Sequence, residues 1–94
     1  MLTEPLDNTK AKRVILEILQ SGAVSFTGHA LEALAEDNMT TVDATNVLRG
    51  GWVEFPECER GSWRYRVRTR QMMVVVCFRS ETHLAVVTAW RIKT

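Results

Sequence analysis

From Thr9 to about Gln20, Val14, Ile15, Ile18 and Leu19 recur at helical spacing, while Lys10, Lys12, Arg13 and Glu17 are left for the outside. This stripe predicts an amphipathic helix, capped by Asp7 or Asn8 after a loose leader over 1–8 and stopped by Ser21-Gly22. A short extended link, Ala23 to Phe26, leads to Thr27 as the cap of a second helix of roughly Gly28 to Glu36, with Ala30, Leu31, Leu34 and Ala35 inward. Asp37-Asn38 ends it. Thr40 or Thr41 starts a third, short helix packed through Val42, Ala44 or Thr45, Val47 and Leu48, and Gly50-Gly51 breaks the pattern.

Beyond those glycines the apolar period shortens from helical to strand-like. Trp52 to Phe55 predicts a first strand, pushed towards a sheet edge by Pro56, and Glu59-Arg60-Gly61 a turn. Trp63 to Thr69 is a second strand. Met72 to Phe78, apolar on both faces, belongs in the middle of a sheet, and His83 to Ile92 completes it after a turn at Ser80-Glu81-Thr82. Three helices followed by four strands with short connections predict an α+β domain over 1–94, with the helical part at 9–49 packed on one face of a four-stranded antiparallel sheet at 52–92.

The stretch Ser62 to Arg70 reads Ser-Trp-Arg-Tyr-Arg-Val-Arg-Thr-Arg. Strand alternation sends Trp63, Tyr65 and Val67 to one face and Arg64, Arg66, Arg68 and Arg70 to the other. The guanidiniums then stand about 6 to 7 Å apart along a rigid rod, a row suited to phosphates or carboxylates. The same pattern also suits a solvated face whose arginines pair with neighbouring glutamates. In the last strand, alternation predicts Leu84, Val86, Thr88 and Trp90 towards the helices. His83, Ala85, Val87, Ala89 and Arg91 then share the arginine face, with Arg79 near its end and the two alanines as a shallow floor.

The composition, 46% hydrophobic and 24% charged residues in 94, is that of one folded domain. The net charge of +1 hides an asymmetry. Residues 1–48 hold three basic and seven acidic groups, whereas 49–94 hold nine basic and four acidic. The longest apolar run, Met72 to Phe78, falls short of the roughly 20 residues that cross a membrane. The start of the chain lacks the basic end and apolar centre of a signal peptide, so a cytoplasmic protein with two reduced thiols is expected. Cys58 is one of these, and Cys77, inside the apolar strand, is expected to be a small buried hydrophobe.

No phosphate-binding glycine loop, HExxH, EF-hand or G-x-S-x-G motif is present. His29, His83, Cys58 and Cys77 have no ligand spacing, so no metal site and no cofactor are expected. A cationic sheet face, two histidines and a tyrosine are a sufficient set for metal-independent RNA cleavage, in which a 2′-hydroxyl attacks the adjacent phosphate. Arginines stabilise the developing charge, and histidines move protons. His29, in the first turn of a helix, is favoured as a neutral proton acceptor by the helix dipole, or else it braces the helix through a hydrogen bond to neighbouring backbone. Tyr65, Trp63 and Trp90 are expected in the core, and Trp52 either there or as a stacking surface.

Phe26-Thr27-x-His29-Ala30-Leu31-Glu32-x-Leu34, Val47-Leu48-x-Gly50, Arg64-Tyr65-Arg66 and Ala85 through Arg91 together resemble a small bacterial family of unknown function. Its members open a helix with a His-Ala pair and end in a strand reading Val-Val-Thr before an aromatic residue. More distantly, the order of elements over about residues 10–92 is similar to the MqsR toxins of the RelE-like mRNA interferases. The resemblance implies a RelE-like α+β domain and a metal-independent endoribonuclease of a toxin–antitoxin pair, with RNA, free or on the ribosome, and a cognate antitoxin as partners. Carried over by position, His29, Arg66 and Arg91 are the catalytic candidates. Arg64, Arg68, Arg70, Arg79 and His83, from the basic face, are the RNA-binding candidates. MqsR-type toxins rely on lysines, a glutamine and a tyrosine, whereas this sheet offers arginines. The alternative is a non-catalytic RNA- or protein-binding module using the same face.

Overall fold

The computed structural model describes residues 2–93; Met1, part of the expected leader, and Thr94 lie outside them. Among the described residues the chain forms three helices and six strands, in the order α1 (Asn8–Ser21), β1 (Ala23–Phe26), α2 (Gly28–Glu36), α3 (Thr41–Gly50), β2 (Trp52–Val53), β3 (Glu57–Glu59), β4 (Ser62–Arg68), β5 (Met72–Ser80) and β6 (His83–Arg91). The class is α+β, as the change of apolar period predicts. The sheet is mixed and wider than the expected four-stranded antiparallel meander.

Each helix begins where a short polar side chain satisfies a backbone N–H that the helix leaves unpaired. The Asp7 carboxylate accepts from Lys10 N at 2.8 Å, and Thr27 Oγ1 accepts from Ala30 N at 3.0 Å. Thr40 and Asp43 form a reciprocal box, each side chain accepting the other's backbone N–H. At the other end of α3, Lys12 Nζ donates to the carbonyls of Leu48, Arg49 and Gly51 at 2.9, 2.8 and 2.6 Å. It closes orphan carbonyls with a positive charge and ties α1 to α3. Partial burial lowers its pKa from the usual lysine value.

The strand order is β1-β6-β5-β4-β2, with β3 pairing on β4. β5 occupies the middle, as expected of a segment apolar on both faces, and Met72 through Cys77 are all buried. Two short strands, β1 and β3, lie outside the four that the sequence predicts, and the predicted first strand is confined to Trp52–Val53. In place of a plain extended link, β1 is a strand of the sheet. It runs parallel to β6, Ala23 opposite His83 and Phe26 opposite Val86, and forms a sheet edge. β3 joins β4 through a two-residue turn in which Arg60 and Gly61 both have positive φ, 52° and 78°, the geometry of a tight hairpin turn. Gly51 is needed for a different reason: a Cβ there would stand 2.5 Å from the Arg68 carbonyl and 2.6 Å from that of Val47.

The helices cover one face of the sheet. Ala11, Ile15 and Ile18 of α1, Ala30 and Leu34 of α2, and Ala44, Val47 and Leu48 of α3 meet Tyr65, Val67, Val74, Val76, Leu84 and Val86. Leu31 and Val42, expected inward, are exposed on the outer sides of their helices. The leader is docked rather than loose. Leu6 is buried, its N–H donates to the Tyr65 hydroxyl at 3.0 Å, and that hydroxyl donates to the Glu4 carboxylate at 2.9 Å.

Burial, reinforced by the Glu4 carboxylate, pushes the Tyr65 pKa up to about 12, against the smaller opposing effect of the Leu6 hydrogen bond. A raised folded-state pKa means that the folded chain holds this proton more tightly than the unfolded chain does. The stabilisation, about 2 to 3 kcal/mol, is complete below pH 10 and is lost between about pH 10 and 12. Denaturant melts across that range are expected to show a steeper loss of stability in the unaltered protein than in Tyr65→Phe.

Candidate nucleic-acid interface on the open sheet face

Residues paired across neighbouring strands share a face, so register defines what lies on the side away from the helices. Arg66, Val75 and Thr88 form one such row, and Arg68, Met73 and Trp90 the next. Trp52 stands opposite Arg68 on the edge strand, and Glu57 opposite Arg64. Val75 and Cys77 are buried on this side, apart from the cluster that the helices form with the other face. Arg64, Arg66 and Trp90 of the flanking strands border Val75 in one concavity, and long arginine stems can cover apolar surface in this way.

The pairing of β5 with β6 contains an irregularity that reverses part of the expected pattern. Val75 pairs with Thr88 and Val76 with Val86, so Val87 is an extra residue, a β-bulge. Before it, Leu84 and Val86 point to the helices as alternation predicts; after it, the phase is inverted. Ala89 joins the core under the helices, and Thr88 and Trp90 turn to the arginine face. Trp90 is therefore half-buried, with the Arg66 guanidinium 5.9 Å from its ring centre. The Arg68 guanidinium lies 5.6 Å from the ring of Trp52, which is 50% exposed.

The same inversion takes Arg91 off the face on which the sequence put it. Its backbone N–H donates to the Asp37 carboxylate at 2.8 Å, its Nε to the Asp37 carbonyl at 2.8 Å and its guanidinium to the Asn38 carbonyl at 3.3 Å. Arg91 thus closes the C-terminal end of α2, where carbonyls have no helical partner and positive charge is favoured. His29 is exposed in the first turn of α2, in the helical layer. Arg66, Arg91 and His29 are not assembled into one site. Arg70 is exposed in the turn after β4, and Arg79 lines a separate concavity with Leu2, Glu4 and Phe78. His83 does lie on the arginine side, at the edge formed by β1, with its Nε2 2.8 Å from Ser25 Oγ.

The open face is not a plain cationic surface. Glu57 stands 3.7 Å from Arg66, Glu54 3.8 Å from Arg68, and Glu59 borders the same concavity as Arg64 and Arg66. Beyond hydrogen-bonding distance and half exposed, each pair is worth about 0 to 1 kcal/mol and serves chiefly to hold the guanidiniums over the sheet. Arg64 Nε is buried without a hydrogen-bond partner. The arrangement offers planar cations, two indoles and carboxylates side by side, the equipment for stacking, anion contact and donor recognition. The described residues hold no cluster of His, Cys, Asp and Glu able to ligate a metal, and no helix among them is long and apolar enough to cross a membrane.

Compared with models of protein families, with curated proteins and with solved structures, the chain gives no significant match. What can be read of its function therefore rests on the chemistry of its own surface.

Trp90→Ala is expected to cost about 1 to 2 kcal/mol in a chemical-denaturation experiment, below the 3 to 5 of a fully buried tryptophan. Arg91→Ala, which frees the end of α2, is expected to cost about 1 kcal/mol in the same experiment.

Proposed function

We propose that this protein binds single-stranded RNA on the open face of its sheet without a cofactor. The observation that carries this reading is the pairing of Arg66 with Trp90 and Arg68 with Trp52 on the face of the sheet away from the helical core. Every base has a stackable surface and every phosphate an affinity for guanidinium, so alternating indoles and arginines hold an unpaired strand with little regard to sequence. The two-residue strand step of about 6 to 7 Å between Arg64, Arg66 and Arg68 is on the scale of successive phosphates in an extended strand. Carboxylates interspersed among the arginines moderate non-specific attraction and leave affinity to depend on stacking.

The second reading is the toxin-type endoribonuclease, RelE-like in fold, that the sequence resemblance implies. It is favoured by one observation: His83, bonded to Ser25, shares the arginine side of the sheet and is the histidine available to a strand lying there. On this reading His83, not His29, exchanges the proton with the 2′-hydroxyl or the leaving oxygen.

Fluorescence anisotropy with a labelled oligouridylate at several salt concentrations tests the proposal. Binding is expected to weaken with salt, and Arg66→Ala to weaken it further and reduce the slope of log K against log salt by about 0.7. His29→Ala and Arg91→Ala are expected to bind as the unaltered protein does. An absence of RNA binding at low salt would refute the proposal and leave the face to a protein partner. Incubating a mixed-sequence RNA with the protein and mapping its ends decides the second reading: discrete cuts lost in His83→Ala establish cleavage, and intact RNA excludes it for free RNA.

A further inference from the structure

Where β3, β4 and the end of β6 meet, the open face sinks into a concavity of about 210 Å3, floored by Val75 and bordered by Glu57, Glu59, Arg64, Arg66, Thr88 and Trp90. At about 30 Å3 for each water molecule, the volume holds roughly seven waters, room for one base but not for a base pair. Resting on the RNA-binding reading above, we infer that this concavity is a guanine-selective subsite for one unpaired base of the strand.

The chemistry of the lining singles out guanine. A carboxylate in a phosphate-binding face works against affinity unless it receives hydrogen-bond donors from the ligand. Glu57 has Arg66 as a neighbour, whereas the Glu59 carboxylate has no hydrogen bond or ion pair among the described residues. Arg64, whose Nε is buried without a hydrogen-bond partner, and Arg66 bring guanidiniums to the same lining. The concavity therefore combines an unpaired carboxylate, arginine side chains and an indole, and it suits a flat ligand with donors along one edge and acceptors along another. Guanine presents N1–H and its 2-amino group side by side, which one carboxylate accepts together, and O6 with N7 on the opposite edge, the pair that an arginine fork recognises. Adenine sets an amino group beside N7 and an acceptor at N1, which opposes both walls. Cytosine gives a carboxylate only one donor group beside an acceptor, and uracil encloses its single N3–H between two carbonyls. The Trp90 ring supplies the stacking surface common to all four.

The test uses labelled oligouridylates carrying one central guanosine, inosine or adenosine, with anisotropy as the readout. The guanosine oligomer is expected to bind about tenfold or more tightly than the adenosine one, with inosine, which lacks the 2-amino group, between them. Glu59→Gln is expected to reduce the guanosine-to-adenosine ratio to near one, with its melting temperature recorded to show an intact fold. Equal affinity for all three oligomers, or a guanosine preference retained in both Glu59→Gln and Glu57→Gln, would overturn the subsite while leaving RNA binding in place. Failure of every oligomer to bind would overturn both readings together.

Discussion

One extra residue in the last strand governs what the two faces of this protein offer. Val87 interrupts the pairing of β5 with β6, and everything C-terminal to it exchanges sides. Without the bulge, Trp90 would point into the helices and Arg91 would extend the arginine row. With it, Trp90 becomes an aromatic surface beside Arg66, and Arg91 becomes the clasp that ends α2. A packing contact on the helix side and an aromatic surface on the arginine side thus follow from the same backbone irregularity.

The helix side supplies the stiffness that the open face needs. The sheet is a single layer, so its outer residues stay in register only if the inner ones are fixed. Lys12 binds α1 to the end of α3, and Tyr65, fully buried in β4, is tied through its hydroxyl to Leu6 and Glu4 in the leader. Tyr65 is flanked in sequence by Arg64 and Arg66, and locking its ring beneath the sheet sets where the two guanidiniums emerge above it. From the edge, the Glu57 carboxylate stands beside Arg66 and that of Glu54 beside Arg68. Stability and binding surface are coupled through alternate residues of one strand.

Much of this was legible in the sequence because it is local. The helix caps at Asp7, Thr27 and Thr40, the amphipathic stripe of α1 and the apolar run of β5 all follow from side-chain spacing. The burial of Tyr65 and the outward row of Arg64, Arg66 and Arg68 follow from strict alternation. What escaped depends on partners distant in the chain or on a break in period. β1 is four residues long, and its strand character comes from residues about sixty positions away in β6. The bulge at Val87 leaves no mark, since Ala85-Val86-Val87-Thr88-Ala89 reads equally well in either phase. Strict alternation therefore assigns Trp90, Arg91 and Ala89 to the opposite faces from those they occupy, and His29, Arg66 and Arg91 do not come together. Glu59 reads as a turn residue in the sequence, and only the β3–β4 hairpin shows that it and Glu57 border the arginines.

Titration of the 15N-labelled protein with oligouridylate, following the three tryptophan indole N–H signals by NMR, tests the central claim most directly. Trp90 and Trp52 stand on the arginine face, whereas Trp63 packs against the core beneath it. The account predicts that the Trp90 and Trp52 signals move with RNA and that the Trp63 signal stays in place. Movement of Trp63 with Trp90 and Trp52 unperturbed would contradict it, because the bound strand would then lie away from the surface that the bulge creates.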